Sequence, residues 1–235
     1  RMNKRLIIRG FVLLTFLLII FLSYLIFIKP NLVGKDEKSE NGSIPSSGIS
    51  IAVGASLGAD WFETWAEEND ILVFFGDKFD AIPTPSKGKV AWNGASFKHV
   101  IETQSDWEGR IDVIIYDYEL WDKTPEEEKD NPSWASQRAQ EFVDNNGLEL
   151  IMGTSWKMIS LGASSDFIRK ANGQVSWDKF VNGEKVGQIA KNVKNYGSNA
   201  TGLRAEYPDS YIDFFKTIAG YAKKANPSIK LWPVL

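Results

Sequence analysis

The chain has 235 residues, with 27 basic and 30 acidic side chains, one histidine and no cysteine. Without cysteine, disulfide bridges, zinc–thiolate sites and cysteine nucleophiles are excluded. The excess of acid argues against a nucleic-acid partner, because a phosphate backbone binds basic surfaces.

The first 28 residues have the pattern of a membrane anchor. Four basic residues within 1–9 precede an uncharged apolar run from Phe11 to Ile28, which Lys29 and Pro30 close. A helix of this length can cross a hydrocarbon core of about 30 Å. The basic flank predicts that everything after Lys29 lies outside the cytoplasm. A cleaved signal peptide is the alternative, which the long run and the lack of a small-x-small site disfavour.

Two further regions follow the anchor. Residues 29–48 are polar and rich in Ser, Gly, Lys and Glu, which predicts a flexible linker. Residues 49–235 have the length of one domain. Four of the 27 basic residues precede the membrane segment, so 23 basic and 30 acidic residues remain beyond it, a formal charge of −7. That balance also disfavours docking on anionic lipid, and leaves the N-terminal helix as the predicted membrane contact.

Strand-like and helix-like patterns alternate along the predicted domain. Apolar and β-branched runs predict six strands, the fifth of them weak, at 49–55, 71–75, 110–116, 148–152, 201–206 and 229–235. A helix is predicted from the N-cap Asn131 to the stop at Gly147, a second over 183–195, and a third from Asp209 to just before Pro227. The charged run 126–130 is interpreted as a solvated approach to the first of these helices.

Alternating strands and helices predict a parallel α/β sheet, either open and doubly wound or closed as a (β/α)8 barrel. No Gly-x-Gly-x-x-Gly pattern follows the first strand, so a dinucleotide-binding sheet has little support. Acids and aromatic residues follow several different strands, which favours the TIM-barrel-like fold. Six strands are fewer than eight, and Arg1 precedes Met2, so the chain is expected to be a fragment that lacks the C-terminal strands.

The strongest functional signal lies at the end of the third predicted strand. Ile111, Val113 and Ile115 are followed by Asp117 and Glu119 at the same spacing of two. Since residues i and i+2 of a strand share a face, all five are expected on one side of the sheet. Carboxyl ends of buried parallel strands carry the active sites of α/β folds, so the pair predicts an enzyme.

Glycoside cleavage is the chemistry that such a pair fits best. It needs one carboxylic acid to protonate the leaving oxygen and a second group to stabilise or attack the sugar cation. Glu119 is the predicted acid, and Asp117 would raise its pKa by like-charge repulsion. Glu206, at the end of the weak fifth strand, is the predicted second carboxylate, and the substrate itself is the alternative. Pairing of Glu119 with Lys157 or Arg204 would be a purely structural role.

Aromatic residues near strand ends are predicted to bind sugar rings, because tryptophan offers a flat apolar face with one polar edge. Core packing is the alternative for each of them. The predicted binding residues are Trp121, Trp156 and Trp232, which follow or lie in strands, with Tyr116, Tyr118 and Tyr207 beside the acids.

Neither a metal nor a cofactor is predicted. The only histidine, His99, has no ligand spacing around it and is expected at the surface. Asp117, Glu119 and Glu206 would make at most a weak oxygen site for a metal.

Asp112-Val-Ile-Ile-Tyr-Asp-Tyr-Glu119 resembles the Asp-x-x-Asp-x-Asp-x-Glu signature of family 18 glycosidases, the chitinase group. Asp112 matches the first Asp, Asp117 the last and Glu119 the catalytic acid. The resemblance implies that the acetamido group of the substrate acts as nucleophile. Ile115 replaces the middle Asp, which in that family helps its neighbour to assist this group.

A second resemblance covers more of the chain. Tyr116-Asp-Tyr-Glu-Leu-Trp-Asp-Lys-Thr-Pro125, then Asn131-Pro and Asn146-Gly-Leu-Glu-Leu-Ile-Met152, is similar to a group of exported bacterial barrel proteins without a settled activity. It implies a barrel and an exported location. The sequence thus predicts a membrane-anchored glycoside hydrolase-like protein that acts on polysaccharide or oligosaccharide. A non-catalytic carbohydrate-binding barrel and a cell-envelope interaction barrel are the alternatives.

Overall fold

Strands and helices alternate through residues 52–162 and 165–233, the part of the chain that this computed structural model describes. The strands of this part are β1 Ala52–Gly54, β2 Ile71–Phe75, β3 Lys89–Gly94, β4 Val113–Tyr118, β5 Glu149–Ser155, β6 Asn195–Asn199 and β7 Lys230–Pro233. Its helices are α1 Ala55–Trp65, α2 Phe97–Glu102, α3 Gln104–Trp107, α4 Glu126–Asp130, α5 Pro132–Asn145, α6 Ser165–Lys170, α7 Trp177–Phe180, α8 Gly183–Ala190, α9 Thr201–Glu206 and α10 Pro208–Ala225.

All seven strands belong to one sheet, in which they follow one another in chain order and every neighbouring pair is parallel. The sheet has the form of a half-barrel. The predicted parallel α/β architecture is therefore confirmed. Parallel strands bring their carboxyl ends to one edge, and this edge carries the residues considered below.

Two strands were not predicted, and one predicted strand is wrong. The missed strands are β3 and β6, and the run 201–206 forms the helix α9 instead of a strand. Strand β6 reads Asn-Tyr-Gly-Ser-Asn and contains no β-branched residue, so its pairing with β5 and β7 overrides a weak local preference. Leu203, Arg204, Ala205 and Glu206 favour a helix, which explains α9.

The three predicted helices are present, with differences at their ends. Helix α5 begins at Pro132 after Asn131, and Gly147 follows its end with a φ of +68° that favours glycine. Helix α10 ends at Ala225, before Pro227. Helix α8 is shorter than predicted, because residue 195 already belongs to β6.

The sheet is covered differently on its two faces. Its inner face carries a small apolar cluster, Ile71, Val73, Ala91, Val113 and Ile151, against which Ile115 and Trp232 pack. The opposite face packs against the helices in a much larger core that includes Trp92, Tyr116, Tyr118, Met152 and Tyr196. Ile111, which was expected on the same face as Val113, precedes β4 and belongs to the larger core.

One buried carboxylate ties β4 to the helices. Glu128 is only 3% exposed. It accepts backbone hydrogen bonds from Phe97 (3.0 Å) and Lys98 (2.9 Å) at the start of α2, and a third from the Tyr116 hydroxyl. The interpretation of the run 126–130 as merely solvated is therefore wrong for its central residue.

None of the helices in the described part of the chain is both long and apolar enough to cross a membrane. The predicted anchor (1–28) and linker (29–48) lie outside the described residues.

Replacing Glu128 with alanine is expected to lower the free energy of unfolding by about 3 kcal/mol, because two backbone N–H groups and a phenol lose their buried acceptor. Urea unfolding followed by tryptophan fluorescence measures this change. Glu127→Ala removes the exposed neighbouring carboxylate and is expected to change stability by less than about 0.5 kcal/mol. Equal stability of the two variants would contradict the structural role of Glu128.

Candidate functional site

Strand β4 delivers two carboxyl groups to the carboxyl edge of the sheet. Val113, Ile115 and Asp117 alternate onto the inner face, and Glu119 follows the end of the strand directly. The predicted placement of Asp117 and Glu119 together at the end of a buried parallel strand is confirmed.

Two asparagines from other strands bind these carboxyls. The amide of Asn93, on β3, donates to Asp117 Oδ2 at 3.2 Å. The amide of Asn199, on β6, donates to Glu119 Oε1 at 2.6 Å and lies 3.4 Å from Asp117 Oδ1. The candidate site is therefore a hydrogen-bonded group of four side chains from three strands, which we call the acid cluster.

Two glycines lie in the strand row beside the acid cluster. Strand pairing aligns Asp117 with Gly153 on β5, Gly153 with Gly197 on β6, and Gly197 with Trp232 on β7. Two neighbouring strands thus present no side chain in the row between Asp117 and Trp232. This row gives the inner face a floor formed by backbone, bounded on one side by an acid and on the other by an indole.

Burial and mutual repulsion determine how the acids ionise. Asp117 is 8% exposed. Burial raises the pKa of its carboxyl, and hydrogen bonds with Asn93, Asn199 and Glu119 partly offset that rise. Burial also raises the pKa of Glu119, as do the charge of Asp117 and the hydrogen bond between the two carboxyls, whereas Lys157 lowers it. Both carboxyls thus hold a proton more readily than free carboxyls do, as a general acid requires.

The aromatic side chains predicted to bind sugar divide into two groups. Trp232 lies on the inner face, where its indole N–H donates to Asn195 Oδ1 at 3.3 Å. Trp121 is half-buried just beyond β4, and its N–H bonds to Thr124 Oγ1 (2.8 Å) and the Ala95 carbonyl (3.3 Å). Trp232 thus lies on the inner face, and Trp121 lies beyond the carboxyl ends of β3 and β4.

The other four predicted binding residues pack elsewhere. Tyr116 and Tyr118 are fully buried on the helix side, and the Tyr118 hydroxyl donates to the Glu128 carbonyl at 2.8 Å. Trp156 belongs to the large core, with its ring centre 6.4 Å from that of Trp177. Tyr207 packs so closely on Gly173 that a Cβ there would lie 2.6 Å from its ring. These four side chains thus pack against other protein side chains, which agrees with the alternative of core packing.

Glu206 is not at a strand end. It is the last residue of α9 and is exposed to solvent. The expectation that the fifth predicted strand brings it to the inner face is wrong, because that stretch is helical. The acid cluster instead receives Asn199 from β6, two strands away from β4.

Sequence reasoning missed Asn93 and Asn199 because it missed the strands that carry them. The only available signal was their position near the ends of short segments with a spacing of two: Ala91 and Asn93, then Asn195, Gly197 and Asn199. Polar residues dominate the second segment, and such a segment is more typical of a loop.

His99 is half-buried rather than fully at the surface. Its Nε2 lies 3.5 Å from Asp77 Oδ1, its ring makes an edge contact with Trp92, and its Nδ1 is buried without a partner. It lines a surface groove of about 430 Å³ that also includes Ser96 and Asp122. Across the described ranges, no three His, Asp or Glu side chains are grouped so that they could hold a metal ion.

A scan against models of known protein families and a search of curated proteins both found no match to this chain. The class that fold and site define is therefore a parallel α/β half-barrel with a carboxyl pair at its carboxyl edge. The two resemblances based on short motifs stay predictions.

Glu119→Gln is expected to stabilise the protein at neutral pH and to change it little in acid. A raised carboxyl pKa means that the folded state favours the proton, so the contribution of Glu119 is fully favourable at low pH and is lost as pH rises through its folded pKa. Glutamine cannot ionise and avoids this loss. The gain should stay below about 1 kcal/mol, since Glu119 is partly solvated.

Urea unfolding at a series of pH values measures the difference between wild type and variant. Glu206→Gln alters an exposed carboxyl and serves as the matched control. A stability difference for Glu119→Gln that does not grow with pH would refute the raised pKa.

Proposed function

We propose that the chain is a glycoside hydrolase-like protein that acts on polysaccharide or oligosaccharide, with Glu119 as general acid. The observation that carries this proposal is the carboxyl pair at the carboxyl edge of β4, where Glu119 and Asp117 lie side by side and both have a raised pKa. Two acids with raised pKa values in one polar cluster are typical of a catalytic site.

Each member of the acid cluster has a role in this proposal. Glu119 donates its proton to the glycosidic oxygen as the bond from that oxygen to the anomeric carbon breaks. Asp117, held by Asn93 and Asn199, is the charge nearest to the sugar cation that develops. Water then completes the hydrolysis at the anomeric carbon, and its proton restores Glu119.

The group that assists at the anomeric carbon comes from the substrate in this proposal. Asp117 and Glu119 leave the same strand and are hydrogen-bonded to each other, so they are too close to act on opposite faces of a sugar. Glu206 lies at the exposed end of a helix. A substrate with an internal nucleophile, such as the acetamido group implied by the resemblance to family 18 glycosidases, supplies what these residues do not.

The half-barrel is proposed to belong to a (β/α)8 barrel, because its strands are parallel and follow chain order throughout. The sequence of the first 28 residues supports a single-pass anchor with this domain outside the cytoplasm. The proposed substrate is therefore a cell-envelope or environmental polysaccharide.

A non-catalytic carbohydrate-binding barrel is the second candidate. Ile115 packs against the inner apolar cluster at the position where the glycosidase signature has its middle Asp, so Asp117 lacks that partner. Trp232 and the glycine row beside it would still offer a surface for a sugar ring.

Incubation of the purified chain with β-linked oligosaccharides, including chitin and peptidoglycan fragments, tests the catalytic proposal. Mass spectrometry of the products is expected to show cleavage that Glu119→Gln reduces by at least about 100-fold, the usual contribution of a general acid. Glu206→Gln is expected to keep its activity. Equal rates for wild type and Glu119→Gln would exclude Glu119 as the acid.

Replacement of Trp232 with alanine tests sugar binding separately from turnover. Measured by calorimetry in the inactive Glu119→Gln background, it is expected to weaken binding about tenfold, equal to ~1.4 kcal/mol. Trp134→Ala, on the exposed face of α5, is the matched control. If binding is unchanged without Trp232, the sugar does not bind at the glycine row. Binding without cleavage would favour the non-catalytic barrel.

A further inference from the structure

We infer that Asn199 is a positioning residue that clamps Asp117 and Glu119 into one coupled pair. The use of this pair in catalysis rests on the proposed function. The clamp itself is a property of the folded chain and is tested without a substrate.

Asn199 reaches the acids across an intervening strand. The carboxyls come from β4 and Asn199 from β6, with β5 between them. Neighbouring strands lie about 4.8 Å apart, so the bridge spans roughly 10 Å between backbones. Gly153, the residue of β5 that pairs with Asp117, has no side chain to block this path.

One amide holds an oxygen of each carboxyl. Asp117 accepts from Asn93 on Oδ2 and faces the Asn199 amide with Oδ1. Glu119 accepts from the same Asn199 amide on Oε1 at 2.6 Å. A hydrogen bond between the two carboxyls completes the group. Asn199 is thus the one amide of the acid cluster that contacts both acids.

The charged groups that face the pair act in opposite directions on Glu119. The charge of Asp117 raises the pKa of Glu119, and Lys157, from the segment after β5, lowers it. Because Glu119 lies beyond the end of β4, no strand pairing holds it in place. Without the bond to Asn199, we expect its side chain to turn toward solvent and away from Asp117.

Carboxyl ¹³C NMR of the full chain, labelled at the side chains of Asp and Glu, tests the clamp. Spectra of Asp117→Asn and Glu119→Gln assign the two signals. In wild type, each signal is expected to shift in two steps as pH rises, since the carboxyls titrate as a pair. In Asn199→Ala, each signal should shift in a single step, because the two carboxyls are no longer held together.

Asn93→Ala is the matched control, because it removes an amide that binds only Asp117. It is expected to keep the two-step titration and to raise the midpoint of Asp117. Two-step titration of Glu119 that persists unchanged in Asn199→Ala would overturn the inference, and so would loss of coupling in Asn93→Ala alone.

Gly153→Val supplies a second test that removes no polar group, in case Asn199→Ala does not fold. A Cβ at residue 153 meets its nearest atoms, Ile115 Cγ2 and the Tyr116 carbonyl, at 3.4 Å, so Gly153→Ala should be tolerated and keep the coupling. The longer valine should intrude between Asn199 and the acids and reduce the titration to single steps. Coupling retained in folded Gly153→Val would count against the clamp. If coupling is found but no sugar is cleaved, the clamp stands and the proposed function fails.

Discussion

Successive residues of β4 point to opposite faces of the sheet, and the candidate site depends on this alternation. Tyr116 and Tyr118 face the helices, where Glu128 and its carbonyl accept their hydroxyls. Asp117 lies between them in sequence and faces the inner side. A shift of one residue in strand pairing would exchange the two faces. The tyrosine contacts therefore maintain the register that keeps Asp117 in the acid cluster.

The choice of neutral partners explains why the acids keep raised pKa values. A lysine or arginine beside Asp117 would favour the ionised form and lower its pKa. Asn93 and Asn199 satisfy the carboxyl oxygens without bringing a full positive charge. Lys157 acts on Glu119 from a more exposed position, and burial together with the charge of Asp117 opposes it. The cluster is thus satisfied in hydrogen bonds and still able to retain a proton.

The parts of the fold that could be predicted are those where hydrophobic pattern and structure agree. The apolar run before Asp117 predicted β4, and with it the shared placement of the two acids. Strands β3 and β6 escaped prediction because their inner residues near the site are Asn93, Gly197 and Asn199, which weaken the strand pattern. The polar residues and glycines that form the site are thus the ones that weaken the strand pattern of β3 and β6. Such conflicts between site residues and local preference are common at functional sites. Glu206 was then placed on a strand that does not exist, because the true strand ends at Asn199.

The energetic cost of the acid pair bears on whether the site is catalytic. Burial opposes ionisation of both carboxyls, so the pair lowers stability at neutral pH relative to neutral groups of the same shape. A surface that only bound sugar could make the same hydrogen bonds with amides, of which Asn93 and Asn199 are examples. Proton transfer is a task that amides do not perform, so the presence of an ionisable pair favours catalysis. Ile115 weighs against it, because an apolar side chain occupies the inner position directly before Asp117. With Ile115 in that place, the proposed activity depends on a substrate that carries its own nucleophile, since β4 offers no third carboxyl on its inner face to assist Glu119.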